Sequence, residues 1–257
     1  MTQKTQRFPS AHPWDRNFFL VMIAIAWIAI LSGFINDIIH LKAEGRLHFP
    51  LIVHFHAAIF TAWLLLFTVQ VWLIRKNNFA LHRRLGIAGG ILAVIMVLIG
   101  IATALITENV KYGTQYSDPA FVSIMLGDML VFSGLTTAGI WLRKSPSAHK
   151  RLMLMATLIL TDAGFGRGIS YWVAHFFGNN YWTYKNFNEG FWPFVGFQLF
   201  CPFMLLFAIG IYDLFTRKKL HRTYVVAMIW CMGIDLFAGW LYFNPTWLRI
   251  ATRLIGH

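Results

Sequence analysis

Long apolar runs separated by short basic loops divide this chain. A spanning helix needs about 20 mostly apolar residues. Seven stretches reach that length, at roughly 17–38, 50–74, 84–107, 119–142, 151–175, 191–215 and 223–243. None shows the ten-residue alternation of an outer-membrane barrel strand. The pattern predicts an all-α, polytopic integral membrane protein with about seven transmembrane helices. Residues 17–243 form the membrane domain. Residues 1–16 are a cytoplasmic N-terminal segment, and 244–257 an external C-terminal one. The first run, Asn17 to Asn36, is followed by no small-residue cleavage site, so it reads as a retained helix rather than a signal peptide.

The polar residues orient the helices. Arg75, Lys76, Arg83 and Arg84 lie between helices 2 and 3. Arg143, Lys144, Lys150 and Arg151 lie between 4 and 5, and Arg217, Lys218, Lys219 and Arg222 between 6 and 7. These alternate loops hold 12 of the 22 Lys and Arg, so the positive-inside rule places them and the N-terminus in the cytoplasm. The expected location is a bacterial inner membrane, with the C-terminus external. Only 12% of the 257 residues are charged, against about a quarter in a soluble domain. The net charge of +12 falls in the loops and not on one continuous surface, which argues against nucleic acid as a partner and for the bilayer. Cys201 and Cys231 lie inside apolar runs and form no CxxC motif, so they say nothing of redox compartment.

The basic loops repeat. Trp72-Leu-Ile-Arg-Lys leads to Leu81-His82-Arg83-Arg84-Leu85-Gly86. Trp141-Leu-Arg-Lys leads to Ala148-His149-Lys150-Arg151-Leu152-Met153. Phe215-Thr-Arg-Lys-Lys leads to Leu220-His221-Arg222. The chain therefore reads as one leading helix plus three related hairpins. The plain explanation is topological, with Lys and Arg holding the loops inside. The sharper one is that His82, His149 and His221 meet on the cytoplasmic face and hold a cofactor or anionic headgroups. Over roughly 50–175, with Arg167 closing the second motif, the chain resembles uncharacterised bacterial multi-helix membrane proteins that carry His-Arg-x-x-Gly and His-Arg-x-x-Met at helix starts. The layout is also similar to the cytochrome b561 and ferric reductase group, which implies a b-type haem, although helix 4 here has no His.

Ionisable groups inside spanning helices are costly and mark function. This chain places Asp37, His54, His56, Asp128, Asp162, Arg167 and Asp235 there. At 1.5 Å of rise per residue, most fall in one layer of the outer half. Arg167 is expected to pair with Asp128 or Asp235, which leaves carboxylates over for a proton, a cation or a polar ligand. On helix 2, His56, Phe60, Trp63, Phe67 and Gln70 form one stripe. His54 lies on the opposite face with Ala57, Ala58, Thr61 and Thr68, read as a close-packing face. His40, His54, His56 and His175, with His48 nearby, gather toward the outer end as candidate ligands for a transition metal ion. The segment 176–190 reads as a cap or lid there.

Three functions compete. The first is a membrane redox protein binding haem b or a metal ion, with His82, His149 and His221 as cofactor ligands. The second is a membrane enzyme acting on a small lipid-like or apolar ligand, with His56, Asp128, Asp162, Arg167, Tyr171 and Asp235 as catalytic groups. The third is a transporter, receptor or proton-linked channel using the same carboxylates as a relay.

Overall fold

The computed structural model describes residues 8–9, 11–45, 49–168 and 190–257. Among them there is no strand. The helices are α1 (Asp15–Ala43), α2 (Leu51–Arg75), α3 (Phe79–Lys111), α4 (Val122–Trp141), α5 (Pro146–Ile159), α6 (Phe191–Arg217), α7 (Arg222–Tyr242) and α8 (Pro245–Leu254). A further helical stretch covers 162–168. Tight turns at Pro119–Phe121 and Leu142–Lys144 flank α4. Five helices are long and apolar enough to cross a membrane: α1, α2, α3, α4 with its flanking turns, and α7. Large apolar side chains such as Ile28, Ile87 and Trp141 are 66%, 71% and 80% exposed, an exterior suited to a lipid surround.

The central helix is α5. Every residue from Leu154 to Ile159 is buried, and so are Arg151 and Leu152. Around it pack Met22 and Ala26 of α1, Trp63 of α2, Met96 of α3, Phe132 of α4, Leu206 of α6 and Cys231 of α7. The indole Nε1 of Trp63 donates to Thr157 Oγ1 at 3.3 Å, which fixes the predicted stripe of α2 toward the core. The opposite face is not close-packed. His54, Ala57, Ala58 and Thr61 are exposed, because α1 meets α2 further along, where Trp27 Nε1 donates to Thr68 Oγ1 at 3.0 Å.

Three features depart from the sequence reading. α3 starts at Phe79, five residues before the predicted 84, because the Asn78 side chain accepts from Leu81 N–H at 3.2 Å and caps it. His82 is therefore inside the helix. The predicted helix 151–175 is interrupted at Leu160–Thr161, where Thr161 Oγ1 donates back to Leu158 O at 2.6 Å. Beyond the break, Gly164 lies against α1, and a Cβ built on Gly33 would stand 2.0 Å from Gly164 O. The segment 244–257 carries α8. Asn244 caps it, Trp247 Nε1 donates to Ala120 O at 3.0 Å, and Asn109 Nδ2 donates to Ile255 O at 2.6 Å. At ten residues α8 is too short to span, which is why a search for spans passes over it.

At one end of the bundle, a charged network ties α1, α5 and α6. Arg151 of α5 donates from Nε to Asp213 Oδ2 at 2.6 Å and makes a second bond, from its terminal nitrogen, to Asp213 Oδ1. It also donates to Ser147 O at 2.5 Å. Arg151 is 2% exposed and Asp213 0%. Arg217 reaches Asp213 at 3.4 Å and both oxygens of Asp15 at 2.8 Å. Lys150 and the Tyr212 hydroxyl also donate to Asp15, at 2.6 and 2.7 Å. The Phe8 ring lies over the guanidinium groups of Arg151 and Arg217. Removing one partner of a buried pair costs about 3–5 kcal/mol, because the other charge is left alone, whereas replacing both with apolar groups is often neutral. Arg151→Ala is therefore expected to lower the thermal unfolding temperature of the detergent-solubilised protein sharply, and Arg151→Leu/Asp213→Leu much less. Equal losses in the two variants would show that the pair is not what sets the cost.

Candidate functional site

Asp128, Asp162 and Asp235 come from three separate parts of the chain and line one cavity. Asp128 is on α4, about 9 Å from its N-terminal end, and Asp235 on α7, about 10 Å from its C-terminal end. Asp162 follows the break after α5. Ile159 and Pro202 complete the cavity wall, and Ile124, Phe194, Val195, Ala238 and Gly239 close it toward the outer side. The volume is about 20 Å³, enough for a water molecule. All three carboxylates are half-buried, and none makes an ion pair among the described residues. Of the residues assigned to one layer from the sequence, Asp128 and Asp235 thus line one cavity, together with Asp162.

The other predicted members do not join them. Arg167 pairs with Asp37 of α1 through Nε at 3.0 Å, not with Asp128 or Asp235, and its guanidinium covers the Phe34 ring. Both partners are partly exposed, at 41% and 37% of the side chain. The reason is the Gly33–Gly164 contact, which brings the 162–168 segment against α1 and turns Arg167 to that side. His56 stacks on Phe60 at 3.9 Å, and its Nδ1 is buried without a hydrogen-bond partner. His54 is exposed on the far face of α2, and His40 is exposed near the end of α1. Among the described residues, no three His, Cys, Asp or Glu side chains stand close enough to hold a metal ion, so His40, His54 and His56 form no such site. Tyr171, His175, His48 and most of the 176–190 segment lie outside the described residues.

An apolar cap covers one side of the cavity. Ile124, Phe194, Val195 and Ala238 form it, and Tyr242 stacks on Phe194 at 4.3 Å. The Tyr242 hydroxyl donates to Asp118 Oδ2 at 2.9 Å. Gly239 lets α7 approach α6, since a Cβ there would meet Val195 at 2.6 Å.

The three repeat histidines separate into a pair and a single residue. His82 and His149 sit at the same place, four residues after the caps Asn78 and Ser145. Their ring centroids are 6.3 Å apart with planes at 86°. His149 Nδ1 donates to Gly139 O at 2.8 Å. His82 Nδ1 and Gln70 Oε1 are both buried without a hydrogen-bond partner, an arrangement that costs about 1–3 kcal/mol per group. His221 is four positions out of register. It is itself the cap of α7, accepting from Thr223 N–H at 3.2 Å, with its other nitrogen 3.1 Å from Ser147 Oγ. Burial, and next the Arg151 charge, push its pKa down. It belongs to the charged network and not with His82 and His149.

Two residues of that network escaped the sequence reading. Asp213 is an ionisable group inside an apolar run, four residues before Arg217. That spacing was the available signal. Asp15 precedes its apolar run and gave none.

Burial raises the Asp118 carboxyl above its ordinary value of 3.8; the Tyr242 bond opposes this and the Glu108 charge adds to it. An acid whose folded pKa is raised stabilises the fold below the unfolded value and loses that contribution as pH rises through the folded one. The Asp118 contribution to stability is thus expected to fall as pH rises from about 4, and Asp118→Asn to remove that component of the slope in thermal unfolding. An unchanged slope would mean that the carboxyl does not titrate with the fold.

Comparison of the chain with family models, curated proteins and solved structures returned no match.

Proposed function

We propose that this chain is a seven-span protein of a bacterial inner membrane, N-terminus cytoplasmic and C-terminus external, that carries protons through the Asp128, Asp162 and Asp235 site in proton-linked transport. The observation that carries this reading is the meeting of three intramembrane carboxylates, from three chain segments, on one cavity with no cation among its lining residues. Carboxylates that meet between apolar helices are the groups from which membrane proteins build proton relays. The two missing spans of the seven are assigned to α6 and to α5 with its continuation past residue 161.

Two local features support movement at this level. The helix break at Leu160–Thr161 immediately precedes Asp162, and Pro202 interrupts the hydrogen bonding of α6 at the cavity wall. Interrupted helices at a buried polar site are a recurrent construction in transporters. The cavity volume of about 20 Å³ favours a proton with its water over a lipid-like ligand. A second reading, a haem between His82 and His149, rests on one observation, that their ring centroids stand 6.3 Å apart with planes at 86°.

The test is proton flux in proteoliposomes under an imposed pH gradient, followed with an entrapped pH dye. The wild type is expected to dissipate the gradient, and Asp128→Asn, Asp162→Asn and Asp235→Asn each to slow it roughly tenfold or more. Fluxes in all three variants that equal the wild type, from correctly folded protein, would defeat the proposal.

A further inference from the structure

Two helix ends in the repeat carry a tryptophan followed by two cations, and they differ in what they leave open. At the end of α2, Lys76 Nζ lies over the Trp72 ring at 5.1 Å, and Arg75 donates to Arg16 O and to Asn17 Oδ1, both at 3.0 Å. At the end of α4, Trp141, Arg143 and Lys144 are all exposed. Arg143 donates back to Ile140 O at 3.2 Å, and neither cation makes an ion pair among the described residues. With Thr137 and Ile140, these three residues line an open cavity of about 450 Å³. Small-molecule sites commonly hold about 300–1,000 Å³.

The cavity continues an exposed strip of α4. On one side α4 meets α3, where Ile140 Cδ1 stands 3.6 Å from the place of a Gly90 Cβ. On the other it meets α7, where a Gly127 Cβ would stand 3.0 Å from Ala238 Cβ. Between the two contacts, Leu130, Thr137 and Trp141 share one exposed face, turned away from Asp128. Ile87 and Ile91 of α3 and Val226 of α7, on the flanking helices, are exposed as well. Counting along the helices from these contacts sets Arg84 of α3 and Arg222 of α7, both exposed, within roughly one turn of the level of Arg143. The carboxylates at this end, Asp15 and Asp213, are engaged by Lys150, Arg151 and Arg217. Neither 51–107 nor 129–161 holds another acidic residue. The strip is thus apolar along its length and cationic at one end, with a tryptophan where the two meet, as at a headgroup level.

We propose that this strip and its cavity bind an anionic phospholipid, with the headgroup phosphate at Arg143 and Lys144 and an acyl chain along Leu130, Thr137 and Trp141. The site lies apart from the carboxylate cavity and does not depend on the transport reading.

The test is native mass spectrometry of the whole, delipidated protein in detergent, titrated with phosphatidylglycerol or with phosphatidylcholine of the same acyl chains. Each basic residue near an anionic headgroup is worth roughly fivefold in affinity, so the first phosphatidylglycerol is expected to bind about 25-fold tighter than phosphatidylcholine. Arg143→Gln/Lys144→Gln should remove that preference, and Trp141→Ala should weaken both lipids. Lys76→Gln should leave binding unchanged, because its partner Trp72 lines no such cavity. These side chains are exposed, so the variants are expected to fold. Equal affinity of the wild type for the two lipids, or an undiminished preference in the double variant, would overturn the site. Competition by glycerol phosphate at equal concentration would overturn it too, by assigning the cations to a free phosphate ester. So would a dimer that excludes phosphatidylglycerol, since a second copy would then cover the strip.

Discussion

A charge between apolar helices must be paired, solvated or neutralised, and α5 with its continuation carries one at each end. Arg151 is the inner one. It is almost wholly out of contact with solvent and makes two bonds to Asp213. Since α5 is the helix around which the others pack, fixing Arg151 to α6, and α6 to α1 through Arg217 and Asp15, sets the register of three helices at once. The orientation of everything further out depends on that anchor, including Asp162 just beyond the break.

The outer charges follow two different rules. Arg167 and Asp37 pair where both still reach the surface, so their desolvation is small. Asp128, Asp162 and Asp235 make no ion pair among the described residues and instead share a cavity of about one water. One end of the bundle is thus held by the charged network, and the helix break at Leu160–Thr161 stands between that network and Asp162.

The internal repeat has a structural meaning for two of its three occurrences. His82 and His149 occupy equivalent positions because each lies four residues after the boundary residue of its helix, Asn78 or Ser145. His221 has the same neighbours in sequence but is itself the boundary residue and caps its helix, so it lies a full turn earlier. The motif alone does not decide which of these occurs; where the helix starts does.

The sequence by itself determined the helical class, several membrane-length apolar helices and which ionisable residues stand inside apolar runs. Those follow from the length and period of apolar runs, which are local properties, and from the cost of charge in lipid, which limits ionisable residues to a few informative places. Only the tertiary structure decided the partners. Arg167 was free by depth to meet Asp128 or Asp235 and was taken to Asp37 by a backbone contact between Gly33 and Gly164. Arg151 and Arg217, which look like loop charges, are buried because Asp213 and Asp15 approach them from other helices. Depth along a helix is set by counting residues, but the direction a side chain faces is set by which helix packs where, and that is a property of the whole bundle.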